Sequence, residues 1–369
     1  MPKLTIFPLG NADCCLIDLT NGQKLLFDYA HCRNANDSED LRIDLAAALQ
    51  DDLRTSGKRH FDVVAFTHAD DDHIHGAPEF FYLNHAKKYQ RNDRIIIDQL
   101  WVPAAMIVEE GLKDDARIVQ AEARYRLREG KGIRVFSRPD LLKEWLAKEG
   151  IKLADREHLI TDAGKLIPDF TKSVQGVEFF VHSPFADRLE GNLIDRNECA
   201  LVLQATFNIN EDERKLILGA DANFDVLTEM INVTKRHHNE ARLTWDVFKI
   251  PHHCSYLSLS DEQGKNITIP VAEIQWLFEQ GAAGGILVST SDPIPSNDDD
   301  NQPPHRQAAK YYQQVADKIG GEFIVTMEHP RPTNPEPLII LIDIWGVTVK
   351  KSLPRSSVAI TSRPAPRAG

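Results

Sequence analysis

The sequence is poor in the features that mark a membrane protein, a disulfide scaffold or a bulk nucleic-acid binder. Its five cysteines, Cys14, Cys15, Cys32, Cys199 and Cys254, contain no CxxC pair. An odd, scattered set reads as reduced thiols in a cytoplasmic protein rather than as a disulfide framework. No stretch approaches the roughly 20 apolar residues that a membrane span needs. The opening "MPKLTIFPLG" has neither an apolar core nor a small-residue cleavage site, so no signal peptide is expected. Basic charge is also short: the formal net charge is −12. That argues against nucleic-acid or membrane binding by the whole surface, while leaving room for a local basic groove. No internal repeat of fixed period is present.

What remains is an ordinary globular composition. The 369 residues are 42% apolar and 27% charged, enough for one large domain or two ordinary ones. Short apolar runs, "KLTIFPLG", "CCLIDL" and "KLLFDYA", with a turn at "NG" (21–22), predict a β-meander. Leu41, Leu45, Leu49 and Leu53 recur at four-residue spacing and predict a helix. "FDVVAF" (61–66) and "IIIDQLWVPA" (95–104) read as buried strands. So do "VEFFVHSP", "CALVLQATF", "RKLILGAD", "TWDVFKIP", "GGILVST", "EFIVTM" and "PLIILIDIWG" further on. Residues 105–165 are charged and helix-prone, with a short strand-like "IRVFS" among them, and read as a helical insertion in a β-rich core. Residues 1–350 are thus expected to form one domain, with 351–369, rich in Pro, Ser and Arg, as a flexible tail.

The chemistry concentrates at strand ends. "FTHADDDHIHGA" (66–77) places His68, Asp70, Asp71, Asp72, His73 and His75 directly after an apolar strand. A solvated acidic loop has no need of interspersed imidazoles. Three further runs end the same way: "LLFD" in Asp28, "LILGAD" in Asp221, and "FKIP" in His252 and His253. Open α/β sheets place their chemistry at such ends. Carboxylates and imidazoles are the donor set for zinc, manganese or similar divalent ions. Six or more such groups suffice for two ions, which together can activate water and clamp the attacking and leaving oxygens. Other polar residues have plainer readings: His237 and His238 as solvated surface, His305 as a helix-start residue, Cys254 as a small packing residue, and "SNDDDN" (296–301) as an acidic loop.

His68-x-Asp70-x-Asp72-His73 resembles the HxHxDH motif of the metallo-β-lactamase superfamily, with Asp in place of the second His. With "NECALVL", "LILGAD", "IPHHCS" and the N-terminal "PLGNADCCLIDLTNGQKLLFDYA", it is similar to the ComEC-type branch. That branch comprises the hydrolase domain of bacterial DNA-uptake channels and its stand-alone relatives. The resemblance runs from about residue 3 to 345 and skips the helical segment. It implies an α/β fold of αββα type with two divalent ions, Mn²⁺ or Zn²⁺, along one edge. Carried over, His68 and Asp70 hold one ion and Asp72 and His73 the other, Asp221 bridges them, and His253 is the last ligand. Asp72 and His252 are the candidate catalytic residues, His252 as a proton donor or as a support outside the ligand set. Asp28 orients a ligand imidazole, and Asp13 and Asn197 line the site.

The chain departs from the family's pattern in informative ways. The histidine of the third motif is missing, and Asn197 lies in that region. The first ion is therefore short of one nitrogen, and its oxygen-rich set shifts preference from zinc towards manganese or magnesium. His75 and Cys254 stand where the branch has Gly. The implied activity is metal-dependent phosphodiester hydrolysis, with DNA as substrate. An acidic chain binds DNA weakly alone, because neutralising phosphates supplies most non-specific affinity. A partner protein docking on the helical segment, in a bacterial defence-type system, is therefore expected to deliver it. The alternatives are a hydrolase of small molecules (a lactone, thioester or cyclic nucleotide) and a non-catalytic regulatory subunit. No membrane partner is expected.

Overall fold

The computed structural model describes residues 1–189, 195–299 and 301–351. The chain begins with three short strands, β1 (Lys3–Ile6), β2 (Cys15–Asp18) and β3 (Lys24–Phe27), which pair antiparallel as the predicted meander. Helix α1 (Leu45–Thr55) follows. It starts later than the leucine spacing suggests because the Asp44 side chain accepts the Ala47 N–H at 2.9 Å and caps it. Leu41 is left outside the helix and exposed.

Strand β4 (His60–Ala65), the short helices α2 (Asp71–Ile74) and α3 (Ala77–Phe80), β5 (Phe81–Tyr82) and β6 (Ile95–Pro103) come next. They are followed by α4 (Ala104–Val108), α5 (Asp114–Glu129), β7 (Ile133–Phe136), α6 (Asp140–Lys148) and β8 (Ile160–Thr161). The second half supplies β9 (Val177–Ser183), β10 (Val202–Ile209), β11 (Asp212–Leu218), α7 (Phe224–Arg236), β12 (Trp245–Lys249) and α8 (Ala272–Phe278). It closes with β13 (Gly281–Ser289), α9 (Arg306–Ile319), β14 (Glu322–Val325), β15 (Leu338–Asp343) and β16 (Gly346–Val349).

Two sheets result. The first runs β16-β15-β1-β2-β3-β4-β6-β7-β8, with β5 also pairing β6; the second runs β14-β13-β12-β11-β10-β9. Between them lies an apolar layer in which Phe27, Val63, Ala65 and Trp101 of the first sheet meet Phe179, Leu203, Leu216 and Val247 of the second. The opposite face of the first sheet, through Leu26, Val64 and Leu100, packs on α1, α5 and α6. The opposite face of the second, through Ile217, Phe248 and Leu287, packs on α7, α8 and α9. The order helix, sheet, sheet, helix is the αββα architecture expected from the motifs. Among the described residues no helix is long and apolar enough to cross a membrane.

Residues 105–165 correct the expectation of a separate insertion. Strand β7 pairs parallel with β6, and β8 with β7, so the segment extends the first sheet. Its helices form much of that sheet's outer cover. Val119, Ala123 and Leu127 of α5 and Leu142 and Leu146 of α6 belong to the same core as Leu26 and Val64. The charged composition misleads because several charges are spent internally. Glu122 is fully buried and accepts from Arg126 Nε at 2.7 Å and from the His85 N–H at 2.9 Å. Arg126, also buried, donates to the carbonyls of Ile97 and Gly132. The 351–369 expectation falls, from residue 352 on, outside the described residues.

A core role for this segment has a measurable consequence. Leu127→Ala, at a fully buried position in α5, should lower unfolding free energy by about 3 kcal/mol in urea denaturation. An unchanged midpoint would instead mark the segment as a decoration.

Candidate metal centre

Four strand ends deliver the polar residues to one edge. β3 runs parallel to β4 in one sheet, and β11 parallel to β12 in the other. The chain after each therefore emerges on the same side. Asp28 follows β3 in a left-handed conformation, φ 59°. Its Oδ1 accepts the Thr67 N–H at 2.7 Å and its Oδ2 the Thr67 hydroxyl at 2.8 Å. The loop after β4 is thereby pinned to the end of β3. His68 and Asp70 lie in that loop, and Asp72 and His73 on α2, whose short turn places them side by side.

The imidazoles are oriented from behind. His73 Nδ1 lies 2.9 Å from Asp28 Oδ2. An ionised carboxylate only accepts, so Nδ1 carries the proton and Nε2 faces forward. His253 Nδ1 donates to the Thr290 carbonyl at 2.6 Å and likewise turns Nε2 inward. His68 Nδ1 is 3.2 Å from the Thr67 hydroxyl. All three Nε2 atoms converge on Asp221. His73 Nε2 is 3.2 Å from Oδ1, while His253 Nε2 and His68 Nε2 are 3.6 and 3.9 Å from Oδ2. Asp72 Oδ2 adds a contact to His253 Nε2 at 3.1 Å, and Asp70 Oδ2 to His68 Nε2 at 3.4 Å. His68, Asp70, Asp72, His73, Asp221 and His253 thus form one connected cluster.

The donor set fits divalent metal. Ligating atoms of Asp72, His73, Asp221 and His253 lie within 4.8 Å of one another. Among the described residues, His68 Nε2, His73 Nε2 and Asp221 Oδ1 are buried without a hydrogen-bond partner. Buried polar atoms that face one another unbonded are costly unless a cation joins them. The electrostatics point the same way. Burial alone would strip the proton from His73, but Asp28, Asp221 and Asp13 outweigh it and hold its pKa well above the usual imidazole value. His253, buried too, is raised to about 9 by Asp221 and Asp72. Asp72 is lowered to about 2: burial opposes this, but the hydrogen bond from His253 prevails. The carboxylates demand positive charge, and a metal ion must displace these protons to bind.

Other expected residues are placed less centrally. Asp13 is buried beside the cluster, its Oδ2 3.7 Å from His73 Nε2. Its backbone N–H donates to the Asp72 carbonyl at 2.9 Å. The His252 ring is half-buried with its centroid 6.5 Å from that of His253, and among the described residues no hydrogen bond or ion pair joins it to the cluster. Asn197 makes its described contact through its N–H, to Asp195 Oδ1 at 3.0 Å, and among the described residues its own Oδ1 has no hydrogen-bond partner. It is the neighbouring Arg196 that reaches the site, donating to Asp70 Oδ1 at 2.5 Å. His75 pairs with Asp71 at 3.1 Å on the exposed side of α2. His305 accepts the Tyr256 N–H at 3.4 Å, a structural contact. Burial pushes the Cys254 thiol far up, which makes it inert. Asp298 of the acidic loop pairs with Arg306, and Asp300 lies outside the described residues.

Three further residues belong to the site. Thr67 ties Asp28 to both imidazoles, and nothing but its place beside His68 marks it. Arg196 is 126 residues from Asp70, and no local pattern joins them. Lys249 was legible as the one charge in "VFKIP". It is buried on β12, with Nζ 2.5 Å from Asp13 Oδ2.

No family model matches the chain, and no curated protein matches it. Solved structures do. A Parabacteroides distasonis protein assigned as a metal-dependent hydrolase has 11% identity and a TM-score of 0.34, covering 87% of this chain and 92% of its own. The metallo-β-lactamase GOB-18 of Elizabethkingia meningoseptica has 10% identity and a TM-score of 0.31, with coverages of 84% and 87%. The long form of RNase Z from yeast has 12% identity and a TM-score of 0.35, with coverages of 88% and 40%. At such scores the layer order and the site stand on the strands and side chains described above.

The buried pair Asp13–Lys249 sets a test. Lys249→Met should cost about 3 kcal/mol in urea unfolding with chelator present, because Asp13 loses its hydrogen-bonded counter-charge and keeps only the more distant His73. Adding Asp13→Asn should recover most of that loss. A single variant as stable as the parent would show that the pair is not needed to hold the site.

Proposed function

We propose that the protein is a metal-dependent hydrolase of the ComEC-type branch that cleaves phosphodiesters, with DNA as its substrate. The observation that carries the hydrolase reading is the convergence of His68, His73 and His253 Nε2 on the two oxygens of Asp221. Divalent ions held there would polarise a phosphoryl group and lower the pKa of water. Asp221 would bridge the two positions. Asp72, half-buried and ionised, would face both ion and water. Asp28, through Thr67 and His73, would keep the imidazoles from rotating, and burial of the cluster would strengthen each charge–charge contact. His252, outside the ligand contacts, is the residue nearest in sequence that could pass a proton to a leaving group.

DNA rests on the motif resemblance alone. One observation bears on how DNA would reach the site. An open cleft of about 850 Å³ is lined by four carboxylates, Asp71, Glu79, Asp114 and Asp115, against two cations, Lys113 and Arg196. An acidic rim repels a polyanion, so a nuclease built this way would need a partner protein to bring its substrate.

The test is turnover of plasmid DNA, linear DNA and a chromogenic phosphodiester, beside a lactone and a thioester, at matched free Mn²⁺, Mg²⁺ and Zn²⁺. The expected outcome is phosphodiester cleavage faster with Mn²⁺ than with Zn²⁺, abolished by Asp72→Ala. Asp70→His should move the optimum towards Zn²⁺ by restoring a nitrogen donor. Hydrolysis of the lactone or thioester alone would establish the alternative, and equal turnover with Zn²⁺ would refute the metal preference.

A further inference from the structure

The two halves of the ligand cluster are not equivalent. Asp72, His73 and His253 meet Asp221 with all four ligating atoms mutually close and three of the four residues buried. The other half has fewer donors. His68 Nε2 faces Asp70 Oδ2 at 3.4 Å and Asp221 Oδ2 at 3.9 Å, so an ion there would find three protein donors, one of them shared. The His68 nitrogen is buried and, among the described residues, unbonded, which points to a ligand.

The second oxygen of Asp70 is already engaged. Arg196 donates from Nη1 to Asp70 Oδ1 at 2.5 Å, while its Nε and Nη2 are held by Glu109 Oε1 at 3.0 and 2.7 Å. A guanidinium keeps its charge at any pH a protein survives. It therefore stands permanently beside the position of a divalent cation. It also draws electron density from the carboxylate that would bind the ion. Glu109 offsets part of this charge and fixes the direction in which Arg196 points.

We infer that Arg196, braced by Glu109, makes the His68–Asp70 position the weaker, exchangeable ion site, while the Asp72–His73–His253 position holds its ion tightly. The inference rests on the metal-binding reading above and adds its regulation: occupancy of the second position, and with it any two-ion chemistry, follows the free metal concentration. Arg196 and Asp70 are 32% and 36% exposed in their side chains, so solvent and salt screen the effect to a modest size.

Calorimetric titration of the full chain with Mn²⁺ alone, after chelation and buffer exchange, tests this. The parent protein should show two classes of site separated by about tenfold or more in affinity. Asp70→Asn should remove the weak class. Arg196→Ala, or Arg196→Gln should Ala perturb folding, should tighten the weak class by about threefold to tenfold and leave the tight class unchanged. Glu109→Gln should act in the opposite direction, because Arg196 then loses its counter-charge. The opposed signs separate a charge effect from mere positioning of Asp70, under which both variants would weaken binding. Two classes of equal affinity, or weaker binding in the Arg196 variants, would overturn the inference while sparing the metal site. Absence of any Mn²⁺ binding would overturn the metal-site reading itself.

Discussion

The buried carboxylate of Asp221 is the constraint on which the rest of the site depends. It is almost inaccessible to water, and it lies within 4 Å of the forward nitrogens of His68, His73 and His253. Burial would protonate an isolated aspartate, but His253 and His73 reverse the effect and hold this one far below the usual carboxylate range. A charge in that position is tolerable only where compensating cations converge on it. The geometry of β11, which ends three residues earlier at Leu218, thereby dictates what β4 and β12 must bring.

The surrounding backbone carries a cost that the packed core absorbs. His252, His253 and Cys254 all have left-handed φ values, 54°, 51° and 64°. Each such non-glycine residue costs roughly 1–2 kcal/mol. The tight bend turns His253 back towards Asp221. Hydrogen bonds hold it: the His252 N–H to the Ala220 carbonyl, the His253 ring to Thr290, and the His305 N–H to the Cys254 carbonyl. The strain resides where the loop must re-aim a side chain, and fully buried neighbours such as Phe248, Ile250 and Leu259 pack around it.

The site was more legible in the sequence than the layers around it. Each of His68, Asp70, Asp72, His73, Asp221 and His253 follows an apolar run, and a run that ends in carboxylates and imidazoles is a local signal. The meander and the leucine-spaced helix were legible for the same reason, since periodicity reports which face is buried. Residues 105–165 are less legible, because charge there does not mean exposure. Glu122 and Arg126 are charged and buried, and only their tertiary partners, His85 and the ends of β6 and β7, make that possible. Arg196 and Glu109 were invisible because they join segments 87 residues apart, across α5, β7 and β9. Hairpin strand β16 is hard to read because "GVTV" follows a strand whose apolar run is already complete.

Diffraction from crystals grown with Mn²⁺, collected at the manganese absorption edge, tests the central claim most directly. The expected result is anomalous density beside Asp221, flanked by His73 and His253 on one side and by His68 on the other, at about 2.0–2.3 Å from the ligating atoms. Density confined to the protein surface, with His68, His73 and His253 still facing an ion-free Asp221, would contradict it.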